Sequence, residues 1–170
     1  MIERRTGTYV SCKYKIECSV MLRALPGACG VVIPGMIHCS DYHTTVIYSR
    51  KSIPRAESLC KGFRGNAFGD LKFKALRYEI FDPRGLESAG DDTGALVLIL
   101  DAPELVQFHH QLLMMGGTSD YENYVPHITL SYSVPRDLDL ESIPLPSFPM
   151  ITSRAESEPL NLNWIDYGKE

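Results

Sequence analysis

Two stretches of the sequence carry the same pattern: His43-Thr44-Thr45-Val46-Ile47-Tyr48-Ser49 and His127-Ile128-Thr129-Leu130-Ser131-Tyr132-Ser133. They share histidine, threonine, tyrosine and serine at the same offsets, and both are rich in the residues typical of strands. Because side chains alternate faces along a strand, each stretch presents its imidazole and the threonine hydroxyl two residues later on one side. Two such strands in one sheet predict a site with two imidazoles and two hydroxyls.

This set of groups suits a phosphodiester. One neutral imidazole takes the proton of the attacking oxygen, and the other, protonated, gives a proton to the leaving oxygen. The threonine hydroxyls donate hydrogen bonds to the nonbridging phosphate oxygens, and the scheme requires no metal ion. The candidate catalytic residues are His43, Thr45, His127 and Thr129, whereas Tyr48 and Ser49 are assigned structural roles within the repeat.

Outside the repeat, the sequence predicts an α+β fold, with a mainly antiparallel sheet and two helices on one side of it. A serine and a proline predict a short helix that starts near Ser52, and Asp101 with Glu104 predicts the capped start of a longer helix that stops at Gly116-Gly117. Besides the repeats, which lie in segments 43–49 and 125–134, strands are predicted at 6–11, 17–23, 29–33, 71–82 with a bulge or bend, 95–100 as a central strand, and 160–164. The Pro- and Ser-rich segment 135–159 is predicted to wrap the surface.

Composition narrows the function classes. The chain has 170 residues, of which 44% are hydrophobic and 22% charged, so one soluble globular domain over residues 1–170 is expected. No apolar run approaches about eighteen residues and the start lacks a leader pattern, so we expect a cytoplasmic protein. Five cysteines without C-x-x-C spacing predict free thiols rather than a zinc ribbon. A net charge of −4 disfavours long nucleic acid as the partner but allows a ligand with few phosphates.

The paired H-x-T motifs resemble the two-histidine phosphoesterase superfamily. More narrowly, the blocks Gly7-Thr8-Tyr9-Val10-Ser11, Tyr42 to Arg50 and Val125-Pro126-His127-Ile128-Thr129-Leu130 are similar to phage anti-CBASS nucleases, which destroy the cyclic nucleotides of a bacterial defence. The resemblance implies two pseudo-symmetric lobes of antiparallel strands with flanking helices around a central groove. It also implies a metal-independent enzyme that cleaves 3′,5′ bonds of cyclic di- and trinucleotides in the cytoplasm of an infected bacterial host, with no cofactor and no obligatory protein partner.

Carried over by motif, the resemblance supports His43, Thr45, His127 and Thr129 as the catalytic four. It further implies that Tyr9 stacks on or borders a base, and that Glu158 and Trp164 belong to a nucleotide-contacting segment near the C-terminus. A core role is the alternative for Tyr9 and Trp164. Two other functions stay open: an RNA 2′,3′-cyclic phosphodiesterase of the same superfamily, and a non-catalytic sponge that sequesters a cyclic nucleotide.

The remaining histidines are not assigned to the site. His38 and Cys39 lie close to His43 but have no second cluster of matching spacing, so no metal site is predicted. His109 and His110 come late in the predicted helix, where the helix dipole favours a cation, and a surface or capping role is expected.

Basic and flexible segments leave two further alternatives. Arg50, Lys51 and Arg55 follow the first motif and either meet ligand phosphates or form a solvated basic face. Segment 62–70, rich in glycine, is either a lid over the groove or an ordinary surface loop.

Overall fold

Strands and helices alternate along the computed structural model, which describes residues 6–64, 70–82 and 92–161. The elements are strands β1 (Thr6–Tyr14), β2 (His43–Ser49), β3 (Lys72–Phe81), β4 (Thr93–Asp101), β5 (His127–Pro135) and β6 (Met150–Asn161), and helices α1 (Ile16–Ala28), α2 (Ala56–Arg64) and α3 (Pro103–Met114). Short 3₁₀ turns lie at Cys39–Asp41 and Leu140–Ser142. The α+β prediction is confirmed, with three helices in the described residues instead of two.

The sheet consists of two lobes. Its strand order is β2-β1-β6-β3-β4-β5, and every pairing is antiparallel. The first three strands form one lobe and the last three the other, and the lobes are joined through the pairs Lys72–Ile151 and Phe73–Met150 of β3 and β6. Although β2 and β5 end the strand order, they contact each other. The sheet therefore curls around a central groove, as predicted.

One hydrophobic core extends through both lobes, with buried side chains such as Val10 of β1 and Leu98 of β4. Strand β4 is buried on both faces, because Ala95, Val97 and Ile99 form a second small cluster with Phe81. Burial on both faces explains why this strand is apolar throughout. The prediction of a central strand here is confirmed, since β4 lies between β3 and β5.

Two predicted strands near the N-terminus are wrong. Segment 17–23 lies in helix α1, and segment 29–33 forms no strand. The helix buries Cys18, Leu22 and Pro26, which are spaced four residues apart and therefore lie along one helical face. Exposed apolar residues between them hid this period and gave the segment the look of a strand.

The C-terminal prediction is also wrong. Strand β6 begins at Met150, inside the segment predicted to wrap the surface, and it pairs with both β1 and β3. It buries Met150, Thr152 and Ala155, and the register shift opposite Lys13/Tyr14 of β1 breaks the simple alternation. Polar residues and an irregular register thus masked the strand that joins the lobes. Of the predicted strand at 160–164, residues 162–164 lie outside the described part of the chain.

The predicted helix starts need correction. Helix α2 begins at Ala56 rather than beside Ser52, because a turn first forms in which the Ala56 amide donates to the Ile53 carbonyl (3.1 Å). Helix α3 begins at Pro103 without a side-chain cap, and Asp101 is the last residue of β4. The bend expected in β3 is a register shift between Ala75 and Arg77.

Most of the candidate lid at 62–70 lies outside the described residues, because residues 65–69 are not among them. Across the described residues, no helix is long and apolar enough to span a bilayer.

Candidate active site

Each H-x-T motif opens an outer strand of the sheet. His43 is the first residue of β2 and His127 is the first residue of β5. His43, Thr45, His127 and Thr129 all line one groove of about 400 Å³, and all four side chains are half-buried. The structure thus brings together the four residues that the repeat predicted would share a site.

The two imidazoles are held in the same way. Nδ1 of His43 lies 2.7 Å from the Asp41 carbonyl oxygen, and Nδ1 of His127 lies 2.8 Å from that of Val125. A carbonyl only accepts, so Nδ1 carries the proton in both rings and Nε2 is the nitrogen available for proton transfer. The residue two positions before each histidine therefore fixes its tautomer.

The surroundings of His127 favour its neutral form. Burial lowers its pKa from the ordinary value of 6.5, and the nearby His43 lowers it further, whereas the hydrogen bond to Val125 and the Glu79 carboxylate act in the opposite direction. The ring of Phe81 meets the imidazole edge to face at 5.0 Å. A neutral imidazole in this position has a free lone pair at neutral pH and can act as a base.

Tyr9 and Glu158, which the family resemblance suggested, lie together in the first lobe. They are register partners on β1 and β6, and Glu158 is exposed. The Tyr9 hydroxyl lies 3.0 Å from Thr45 Oγ1, and its ring meets the His43 ring edge to face at 6.4 Å. Burial raises the pKa of Tyr9, so the phenol stays neutral and can donate to Thr45. Trp164 lies outside the described residues.

A one-residue bulge follows the threonine of each H-x-T motif. In β2, Val46 has no register partner between Thr45 and Ile47; in β5, Leu130 has none between Thr129 and Ser131. A bulge inserts one residue and so reverses the alternation of side chains beyond it. The bulge lies at the same offset in both repeats.

The bulges bring the tyrosine of each repeat back to the side of its histidine. Tyr48 is half-buried and lines a cavity beside the groove, and Tyr132 is 61% exposed and lines the groove itself. Strict alternation would have turned both away, because tyrosine lies an odd number of residues after histidine. The sequence signal for a position near the groove was the tyrosine that both repeats carry at the same offset.

Ser49, the last residue of β2, is bound to neighbouring segments through its hydroxyl. Its side chain is buried, and its hydroxyl donates to the Lys51 carbonyl and accepts from the Thr118 amide. It thus ties the end of β2 to the segment that follows α3.

A neighbouring cavity of about 300 Å³ shares Thr45, Phe81, Tyr121 and His127 with the groove. Its walls include Asn123 and Tyr124 of the loop before β5, which lie outside the two H-x-T motifs. The sequence signal for this cavity was the pair Tyr121 and Tyr124, which precede His127 by six and three residues.

The predicted surface or capping role of His109 is wrong. This side chain is 4% exposed, and its Nδ1 donates to the Val46 carbonyl at 2.7 Å. Leu105 and Leu112, one helical turn to either side, are buried as well, so the spacing places His109 on the inner face of α3. His110, the next residue, is exposed.

The basic residues after the first motif differ in their contacts. Arg50 forms an ion pair with Asp120 at 3.0 Å, and this exposed pair ties the end of β2 to the loop before β5. Lys51 and Arg55 are exposed. The described residues contain no group of three or more histidine, cysteine or acidic side chains arranged to hold a metal ion.

Comparison with known proteins identifies a family and relatives by sequence, and a structure with a similar fold. A family model described as "Anti-CBASS protein Acb1" matches residues 6–167. Proteins of that name from Enterobacteria phage T4 and Vibrio phage KVP40 are 30% and 31% identical to this chain over 162 residues each, covering 95% and 94% of it and 93% and 91% of their own lengths. The crystal structure of E. coli LigT in apo form has a TM-score of 0.51 at 13% identity, covering 93% of this chain and 96% of its own. This last likeness concerns the fold alone.

Proposed function

The chain belongs to the anti-CBASS protein Acb1 family, and from that premise we propose that it is a metal-independent phosphodiesterase that hydrolyses 3′,5′ bonds of cyclic di- and trinucleotides. The observation that carries the proposal is the groove lined by two imidazoles and two threonine hydroxyls. Its action belongs in the cytoplasm of an infected bacterial host, where removal of the signal blocks the defence.

The catalytic roles follow from the surroundings of the two rings. His127, whose pKa is lowered chiefly by burial, is the general base, and His43 is the general acid. His127 Nε2 takes the proton of the ribose 2′-hydroxyl as its oxygen attacks phosphorus, and His43 Nε2 gives a proton to the departing 5′-oxygen. The P–O2′ bond forms, the P–O5′ bond breaks, and the product is a linear nucleotide with a 2′,3′-cyclic phosphate. The nucleophile is part of the substrate, which removes the cost of bringing it to the site.

Hydrolysis of the cyclic phosphate completes the reaction with the roles exchanged. His43, now neutral, takes a proton from water, and the protonated His127 returns one to the 2′-oxygen. Thr45 and Thr129 donate to the nonbridging oxygens, where negative charge develops in both steps. A hydrogen bond from the neutral Tyr9 phenol leaves the Thr45 hydroxyl proton free to point at the phosphate.

The substrate end of the groove is assigned to the aromatic and acidic residues around it. Tyr9 borders a nucleobase, and Glu158 on the neighbouring strand accepts hydrogen bonds from the nucleoside. Trp164 is proposed for the same subsite from the family resemblance.

The test is to incubate the protein, in chelator, with 3′,3′-cyclic GMP-AMP, with a cyclic triadenylate and with an oligoribonucleotide ending in a 2′,3′-cyclic phosphate, and to identify the products by mass. The matched control replaces both histidines by asparagine, whose side-chain amide preserves the donor to the backbone carbonyl and removes Nε2. We expect linearised cyclic nucleotide from the wild type and none from the control.

Other products would overturn the proposal in distinct ways. Opening of the oligoribonucleotide alone would indicate an RNA 2′,3′-cyclic phosphodiesterase. Tight retention of intact cyclic nucleotide by both proteins would indicate a sponge. Cleavage that stops when the metal is chelated would overturn the metal-independent scheme.

A further inference from the structure

Two aromatic side chains from the second half of the chain bind consecutive carbonyls of the first catalytic strand. The Tyr124 hydroxyl donates to the Thr45 carbonyl at 2.9 Å, and His109 Nδ1 donates to the Val46 carbonyl at 2.7 Å. The two rings stack on each other with centroids 4.3 Å apart and planes 11° from parallel. We call this stacked pair, His109 and Tyr124, the clamp.

The clamp lies at the bulge of β2. Consecutive carbonyls of a regular strand point to opposite sides, so neighbouring side chains from one side do not ordinarily bind both. Val46 is the residue that the β1–β2 register skips, and the ladder is interrupted there. The clamp binds the carbonyl of this skipped residue and that of Thr45, the residue before it.

The same bulge sets two side chains of the groove region. Thr45 precedes it and Tyr48 follows it, and both line the cavity whose wall includes His109 and Tyr124. A β2 strand without the bulge would turn Tyr48 to the opposite face. The clamp therefore binds the bulge, and the bulge determines the face on which Tyr48 lies relative to Thr45.

The second lobe provides an internal comparison. The bulge residue of β5 is Leu130, and its carbonyl accepts from the Ile37 backbone amide at 2.8 Å. Both bulge carbonyls are thus bound by a part of the chain outside their own lobe's sheet. In β5 the donor is a backbone amide, which only a proline substitution would remove, whereas in β2 the donors are two side chains.

We propose that His109 and Tyr124 are positioning residues for the reaction assigned above: they hold the bulge of β2 and thereby place the Thr45 hydroxyl against the scissile phosphate. The inference rests on the proposed function for its catalytic consequence and on the hydrogen bonds themselves for the clamp. Neither residue transfers a proton to substrate.

The test compares variants that separate the donor from the ring. His109→Phe keeps an aromatic ring and removes the donor, His109→Asn restores a donor near the position of Nδ1, and Tyr124→Phe removes only a hydroxyl. His110→Phe makes the same change as His109→Phe at the exposed neighbouring position. The kcat and KM for 3′,3′-cyclic GMP-AMP are measured at a temperature at which circular dichroism shows every variant folded.

We expect His109→Phe to lower kcat about tenfold with KM within about twofold, since a buried carbonyl loses a hydrogen bond and the loss is felt in the transition state. His109→Asn should recover most of that kcat, Tyr124→Phe should lose about threefold to tenfold, and His110→Phe should match the wild type. Equal impairment of His109→Phe and His109→Asn, or unchanged kcat in His109→Phe with only a lower Tm, would overturn a positioning role.

Amide hydrogen exchange tests whether the clamp holds β2, and it does not depend on catalysis. His109→Phe should speed exchange at Val46 and Ile47 of β2 and leave Leu130 and Ser131 of β5 unchanged. Equal changes in both strands, or none, would overturn the clamp even if the enzyme is active. The proposed function would be overturned, and the clamp kept, if the wild-type protein leaves cyclic nucleotides intact while His109→Phe speeds exchange in β2 alone.

Discussion

The two strands that carry the H-x-T motifs have the same local structure, but different parts of the chain bind them. In both β2 and β5, the histidine is the first residue, a carbonyl two residues earlier binds Nδ1, and a bulge follows the threonine. The bulge of β2 is bound by the side chains of His109 and Tyr124, whereas that of β5 is bound by the Ile37 backbone amide. Each seven-residue repeat thus supplies an imidazole and a hydroxyl to the groove, and the surrounding fold makes the two copies unequal.

The inequality extends to the imidazoles. His127 lies against Phe81 and its pKa is lowered mainly by burial, while the His43 ring neighbours Tyr9, which also binds Thr45. A base and an acid must differ in protonation at the working pH. The proposed mechanism therefore assigns different roles to two nearly identical motifs.

Removing either imidazole should give the largest effect. His43→Asn and His127→Asn should each lower kcat for a cyclic dinucleotide by at least about a hundredfold, the usual scale for loss of an acid or base. The side-chain amide keeps the bond to the Asp41 or Val125 carbonyl, so the Tm at neutral pH should change little. Initial rates by chromatography measure the effect, and losses below about tenfold at both positions would place the chemistry elsewhere.

Removing the threonine hydroxyls should give the next effect. Thr45→Val and Thr129→Val keep the shape and remove a donor to a charged oxygen, and we expect about tenfold to hundredfold lower kcat from each. The KM should change less than kcat, because the donor acts mainly on charge that develops in the transition state. Loss in KM alone at both positions would assign the hydroxyls to ground-state binding.

Tyr9→Phe tests a contact described only for the first lobe. Its hydroxyl orients Thr45 from 3.0 Å, so its removal should lower kcat by less than about tenfold. In a Thr45→Val background the same change should have little further effect, because the two groups act as a unit. Full additivity in this double-mutant cycle would show that Tyr9 acts independently of Thr45.

The smallest expected effect is on stability against pH. The pKa values of His127 and His109 are both lowered, chiefly by burial, so the fold favours their neutral forms. As pH falls below the ordinary value of 6.5, the unfolded chain binds protons that the folded chain does not, and stability is lost until the lowered pKa values are passed.

Replacing either residue by asparagine should therefore make the fall in Tm between about pH 7.5 and about pH 5.5 shallower, by about 2–4 °C for each kcal/mol of linkage removed. Calorimetry at the two pH values measures this fall, with Tyr9→Phe as a control that changes no group titrating in that range. A steeper fall in either asparagine variant would contradict the lowered pKa values.

The repeat made the four groove residues predictable from sequence, since period-two alternation holds from His43 to Thr45 and from His127 to Thr129. Beyond the bulges that rule fails, so alternation alone would place Tyr48 and Tyr132 on the wrong face. In β2 the donors to the carbonyls at the bulge come from α3 and the loop before β5, which the pattern of the strand itself does not reveal.

The fold shows the same division between local pattern and distant contacts. The apolar run of β4 identified a central strand, whereas β6 joins the lobes at Met150 and Ile151 and then continues along β1 with mostly polar residues. Helix α1 was missed because exposed apolar residues obscured the fourfold spacing of Cys18, Leu22 and Pro26. Long-range pairing decided only β6, whereas β4 and α1 depended on local pattern.

The most direct test of the division between base and acid uses a substrate with an activated leaving group. In a ribonucleoside 3′-(4-nitrophenyl phosphate), the 2′-hydroxyl still needs a base, but 4-nitrophenolate departs without a proton. We predict that His43→Asn cleaves this ester within about tenfold of the wild-type rate, while His127→Asn stays at least about a hundredfold slower. Equal losses at the two positions, or retention of activity by His127→Asn alone, would contradict the account.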